Sequence, residues 1–433
     1  MTAAEAVGTG QHDHPPADRS QSSLGRSFGR LWFGNSTSAL GDGMWFAALP
    51  LLAASLSRDP RLVSLLEAMA GLPWLLFGLH AGALADRWDK RTLMWRSDLV
   101  RLVIVALIAA LVAARAVTIP VLLVLVFALA TVGTLFSSAA PALLPSVVPK
   151  ELLGRANARL AGTSTTARNF AGPVLGSLIF GIVPWVPFFA DAVTFGASAW
   201  SVRGLPRLTT TDLPARRPIS HEVVDGLRWI LKTVHMRVLA IAAALLSVAT
   251  AVFLGCFVLF VLGPLKLPQV AYGLLTAVYA VGGVGGSIVA SRIIDRLGLR
   301  WASAGAAFLG AVAFLVIGLV PLWPMAALML GLLGVATMLW NITTVTLRQQ
   351  ITPKHLLGRV SSAFGIIGVG SAALGAPAGG AIASSFGLPA AIICAGALCA
   401  VGTVMVALLL PAAGTASEAA AGTAEDTAAE TAG

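Results

Sequence analysis

Runs of about 20 apolar residues, the length that crosses roughly 30 Å of hydrocarbon at about 1.5 Å per residue, recur along this chain so regularly that they leave little room for anything else. Their spacing predicts twelve spans, near 28–57, 62–84, 92–114, 118–141, 156–182, 184–203, 236–263, 269–291, 299–320, 322–347, 360–386 and 388–411. With 57% hydrophobic and 11% charged residues over 433 positions, the chain is far too apolar for a soluble domain, where charged residues run near ~25%. The expected fold class is all-α, a polytopic membrane protein.

The net charge of +10 suggests nucleic acid only if the positions of the basic residues are ignored. With a cytoplasmic N-terminus, Arg58, Arg61, Arg115 and Lys266 are the only Lys or Arg on the outer side, and Arg168 lies within a span. The rest gather in or beside the inner segments, which places both termini in the cytoplasm by the positive-inside rule and argues for the cytoplasmic membrane rather than a nucleic-acid partner. Cys256, Cys394 and Cys399 fall inside apolar runs without metal-ligand spacing, so they read as packing residues, and no metal or cofactor is expected. Segments 1–27 and 412–433 lack any apolar period and read as disordered cytoplasmic tails.

The chain reads as one half written twice. Pro149–Arg155 (PKELLGR) returns as Pro353–Arg359 (PKHLLGR), differing only at Glu151 against His355, and the same offset pairs Pro173 with Pro377 and Gly176 with Gly380. An even number of spans per repeat gives two halves of the same orientation, related by an axis along the membrane normal. The bundles are therefore expected at 28–203 and 236–411. Between them, 204–235 is a polar linker ending in an amphipathic helix, with Val223, Val224, Leu227, Ile230 and Leu231 at helical spacing for the inner membrane surface.

Polar residues inside the spans are the functional candidates. Asp42 lies 12 residues beyond Arg30, or roughly 18 Å of helix rise, near mid-bilayer, and Arg168 lies at a similar depth in the small, hydroxyl-rich fifth span. A carboxylate that alternates between an apolar surrounding and an arginine can take up a proton on one side and release it on the other; a static buried ion pair is the alternative reading. Glu67 reads as a residue near the outer end of its span in contact with water. Asn35, Asn169, Tyr272, Tyr279, Trp340 and Asn341, with Thr131, Ser137, Thr165, Phe253, Phe257 and Phe364, are the cavity candidates, a mixture suited to an amphipathic solute. Scattered His and the absence of a phosphate-cradling Gly-x-x-x-x-Gly-Lys-Ser/Thr segment argue against an enzyme and against direct ATP drive.

Gly82–Arg91 (GALADRWDKR) resembles the Gly-x-Leu-x-Asp-Arg hairpin of the major facilitator superfamily, and Ser291–Arg300 (SRIIDRLGLR) is its second copy. The PKxLLGR hairpins and Leu40–Asp42 are similar to the branch of multidrug, macrolide and enterobactin-type exporters. The resemblance implies alternating access, a small-molecule cargo and proton antiport, with import or lipid flipping on the same scaffold as the alternative. It also implies a conformational latch built from Gly82, Asp86, Arg87 and Arg91, their counterparts Asp295, Arg296 and Arg300, and the helix starts at Arg155 and Arg359. Gly172, Pro173 and Gly176 resemble the Gly-Pro-x-x-Gly core of the antiporter motif, although Arg168 and Ser177 depart from it.

Overall fold

A computed structural model of the chain describes residues 24–139, 143–205, 219–353 and 355–410, and all regular structure among them is helical. The first group of helices is α1 (Gly25–Leu56), α2 (Pro60–Arg87), α3 (Lys90–Ala113), α4 (Ile119–Ala139), the single turn α5 (Leu144–Val147), α6 (Leu153–Thr166), α7 (Gly172–Ile182) and α8 (Val186–Arg203). After α9 (Ile219–Lys232) come α10 (Val234–Leu262), α11 (Gln269–Leu319), α12 (Trp323–Ile351), α13 (Leu357–Phe386) and α14 (Leu388–Leu409). Eight of these, α1, α2, α4 and α10 to α14, are long and apolar enough to cross a membrane. Large apolar side chains such as Val124, Ile182, Trp200, Leu319 and Phe386 face outward, which suits a surface solvated by lipid.

The chain reverses at short connections, several set by local chemistry. Asp59 caps α2 by accepting the Arg61 N–H at 2.9 Å, with Pro60 opening the helix where its missing N–H costs nothing. Asp89 caps α3, accepting from the Thr92 backbone N–H at 3.2 Å and its hydroxyl at 2.5 Å. The long α11 turns at Gly298, whose φ of 72° is open to glycine and strained for other residues. This breaks it into arms at 269–297 and 299–319.

Within the first group α1 packs on α7 and α8, α2 on α4, and α3 on α8; within the second, α10 packs on α13 and α14, and α11 on α12 and α14. The groups meet where α2 lies along α13 and α7 along α11. Helix α9 docks on the start of α13 through the buried Ile230, and an Asp225–Arg359 ion pair of 3.4 Å fixes it there. Val224, Leu227 and Leu231 of α9 remain exposed.

The small residues predicted to bring helices together do so. A side chain added at Gly172 would lie 2.7 Å from the Gly43 carbonyl carbon, so α7 and α1 touch backbone to backbone. Immediately before Gly172, residues Ala167–Ala171 form a π turn whose closing bond runs from the Gly172 N–H to the Ala167 carbonyl. Pro173 offers no N–H to the carbonyl four residues back, which removes the α-helical alternative at this point.

Candidate functional site

A cavity lies between the two groups and has two lobes that share Thr250, Leu254, Leu333, Thr337 and Asn341. The first, of about 800 Å³, runs from Glu67 and Gly71 on α2 down to Arg348 and Ser361, close to the ends of α12 and α13 that carry the basic connections. The second, of about 340 Å³, is walled by Arg168, Asn169 and Pro173 on one side and Phe253, Phe257 and Tyr279 on the other. Both fall in the size range of sites for drug-sized molecules.

At the opposite end the two groups are joined. Arg61 Nε donates to Ser384 Oγ at 2.7 Å, and Ser177 Oγ donates to the Val270 carbonyl at 3.4 Å. Ser64 fills the space left by Gly255 and Gly380, and Gly273 admits Ser177 and the Pro173 carbonyl. This end is the seal.

Of the cavity candidates, Asn169, Tyr279, Trp340 and Asn341 line the lobes. Two do not. Asn35 donates to Ser164 Oγ at 2.5 Å in the contact between α1 and α6, and Tyr272 is buried against Phe257 with ring centroids 5.4 Å apart. Glu67 is also placed differently from expectation: a full two turns into α2, it faces the larger lobe below the seal rather than outside water.

The partner of Asp42 is corrected as well. It accepts from Arg101 Nη2 on α3 at 3.1 Å, and Arg101 Nη1 reaches Asp98 at 3.4 Å. Arg168 sits in the π turn, where its backbone abuts Gly43 and its side chain lines the second lobe. Asp191 of α8 stands beside the Asp42–Arg101 pair, against Gly41 and with Thr194 donating to its Oδ1 at 3.3 Å. The Arg101 guanidinium lies 3.9 Å from the centre of the Phe195 ring. Three carboxylates therefore gather around one guanidinium. Asp98 is wholly buried, whereas Asp42 keeps 24% of its side chain exposed.

The hairpin arginines bind within each group of helices. Arg91 donates to the Arg203 carbonyl at the end of α8, and Arg300 donates to the Ala407 carbonyl at the end of α14. Each neutralises carbonyls that a helix C-terminus leaves without partners. Asp295 and Arg296 are exposed, and Arg359, the expected latch partner, is held by Asp225. Gly82, Asp86 and Arg87 lie outside the described side chains. Gly172 and Gly176 pack α7 on Gly43 and Met44 of α1, and Pro173 meets Gly273 of α11.

A multi-pass helical membrane fold around a solute-sized cavity, sealed at one end, defines the class as a membrane transporter. The comparisons agree. Residues 24–430 match the family described as transmembrane secretion effector. An MFS-type transporter of Mycobacterium tuberculosis is 30% identical over 352 residues, covering 75% of this chain and 78% of its own length. The enterobactin exporter EntS of Citrobacter koseri is 26% identical over 268 residues, 60% of this chain and 62% of that protein. Among solved structures, a bacterial homologue of the iron transporter ferroportin in an inward-facing state aligns with a TM-score of 0.70 at 17% identity, over 89% of this chain and 98% of that one. The chain belongs to the transmembrane secretion effector family of the major facilitator superfamily: it is a transporter of small molecules, not an enzyme.

Proposed function

We propose that this protein is a secondary active exporter that moves an amphipathic small molecule out across the cytoplasmic membrane by alternating access, in exchange for protons. The observation that carries the reading is the cavity between the two helix groups, sealed at one end and extending to the basic end at Arg348 and Ser361. Counting the two arms of α11 separately and adding α3, the α6–α7 pair and α8 gives twelve crossings, six in each of the halves 28–203 and 236–411. The repeat is supported by Arg91 and Arg300, which bind the last helix of their own half in the same way. By the placement of its arginines the basic end is cytoplasmic, along with both termini and the linker 204–235, so the structure is inward-facing.

Asp42 is the proton-carrying group in this proposal. As a carboxylate it is held by Arg101; once protonated it loses most of that attraction, and α1 is freed to move relative to α3. Because α1 also lies against α7 through Gly43 and Gly172, such movement reaches the helix that makes the seal with α11. Asp86, Arg87 and their counterparts serve as the latch of the opposite, outward-facing state. The resemblance to an enterobactin exporter supports export over import.

The test uses inside-out and right-side-out membrane vesicles, a panel of fluorescent and radiolabelled amphipathic compounds, and an imposed pH gradient. Accumulation in inside-out vesicles with an acidic lumen is the expected result. Uphill accumulation only in right-side-out vesicles would make the protein an importer.

A further inference from the structure

Among the described residues, Glu67 is the one carboxylate on the wall of the larger lobe. Among the described residues no hydrogen-bond or ion-pair partner meets it, and it lies half-buried one helical turn below Ser64, where the seal closes over it. A carboxylate in an enclosed apolar space attracts a positive charge far more strongly than one in open water, because little solvent screens it. Elsewhere along its walls the same lobe presents aromatic surface from Phe314, Trp340 and Phe364, and Tyr272 lies close enough to Glu67 to feel its charge. A lobe that combines a carboxylate without a partner at one end with aromatic faces along its walls suits an organic cation with an extended apolar body.

The other charges of the cavity do not compete for that place. Arg348 lies near the cytoplasmic end of α12, with its guanidinium stacked 4.7 Å from the centre of the Phe364 ring and its Nε turned to the Thr344 carbonyl at 3.4 Å. Arg168 is exposed and belongs to the second lobe. We propose that Glu67 anchors a positively charged group of the transported solute, so that the larger lobe takes amphipathic organic cations. This rests on the reading of the cavity as the solute site.

The position of Glu67 also gives the anchor a direction. In the sealed state the carboxylate is closed off from the outer solution by the Ser64, Gly255 and Gly380 contact. When α2 and α13 separate, the same carboxylate meets outside water, its attraction for a cation is screened, and the solute leaves. Affinity is high facing in and low facing out, as export requires.

The experiment is equilibrium binding to the full-length purified protein with three probes of similar shape: tetraphenylphosphonium, its anionic counterpart tetraphenylborate, and neutral triphenylphosphine oxide. The unmodified protein should bind the cation most tightly. Glu67→Gln should weaken cation binding about tenfold or more while changing binding of the neutral probe less than about twofold, and Glu67→Asp should keep the preference. Preference for the anion in the unmodified protein, or undiminished cation binding by Glu67→Gln, overturns the assignment of Glu67 and leaves the cavity as the solute site. Failure of all three probes to bind overturns the cavity reading itself and the anchor with it.

Discussion

Replacing Gly380 with alanine places one methyl group into the seal. That methyl would sit 2.7 Å from the Pro60 carbonyl oxygen and 3.0 Å from Ser64 Cβ, with Ser64 Oγ in its path, where ordinary contact begins near 3.4 Å. Ser64 has some freedom to rotate, but the Pro60 carbonyl belongs to the backbone at the start of α2 and has little. Overpacking of this kind costs about 1–3 kcal/mol, and the cost falls on the sealed state alone, because the methyl is free once α13 leaves α2. The equilibrium between sealed and open forms should therefore move about 5- to 150-fold toward the outward-open form. A cysteine at Thr250, on the cavity wall, with the three native cysteines replaced, reports this through its rate of reaction with an impermeant thiol reagent added from outside to right-side-out vesicles. Gly380→Ala should raise that rate by the same factor, and adding Ser64→Gly should reverse part of the rise. Unchanged labelling in a folded Gly380→Ala protein would show that this contact is not part of the outer seal.

Removing the arginine of the charge network should be costlier to folding than removing one of its acids. Arg101→Ala leaves Asp42, Asp98 and Asp191 without their cation and should cost about 3–5 kcal/mol, read as a lower unfolding temperature in detergent, with partial recovery on adding Asp98→Asn. Arg91→Ala and Arg300→Ala each remove a charge-assisted contact with a helix end, through one N–H in Arg91 and two in Arg300, and should cost about 1–2 kcal/mol, with turnover per folded molecule little changed. Asp86→Asn should behave in the opposite way, leaving the amount of folded protein unchanged while lowering turnover in a transport assay. Gly298→Ala should cost about 1–3 kcal/mol, because its φ of 72° and ψ of 164° fall in a region that only glycine adopts freely, seen as reduced thermal stability.

The helices were readable because nothing but apolar length is needed to specify a span, and the tight contacts at Gly172 and Gly176 were readable because small residues in such helices exist to let backbones meet. Arg101 was not. Close to a basic hairpin, it is one more positive charge beside an inner segment, although Asp98 three residues earlier on an apolar helix is a signal that the two share a buried face. The Asp42–Arg168 pairing failed because similar depth says nothing about which way a side chain points, and the π turn at Ala167–Ala171 alters the facing of everything around it. Glu67 was placed in outside water from its distance to the helix start. What turns it into a cavity residue is the packing of α2 against α13, a contact between segments more than half a chain apart.

Uphill transport by Asp42→Asn in proteoliposomes under an imposed pH gradient, scaled to folded protein, tests the coupling most directly. Asparagine keeps the shape of the side chain and can still meet Arg101, but it has no proton to give up between states. The account predicts that the variant exchanges solute down its gradient and fails to concentrate it. Accumulation equal to that of the unmodified protein would contradict the account and remove Asp42 from proton coupling.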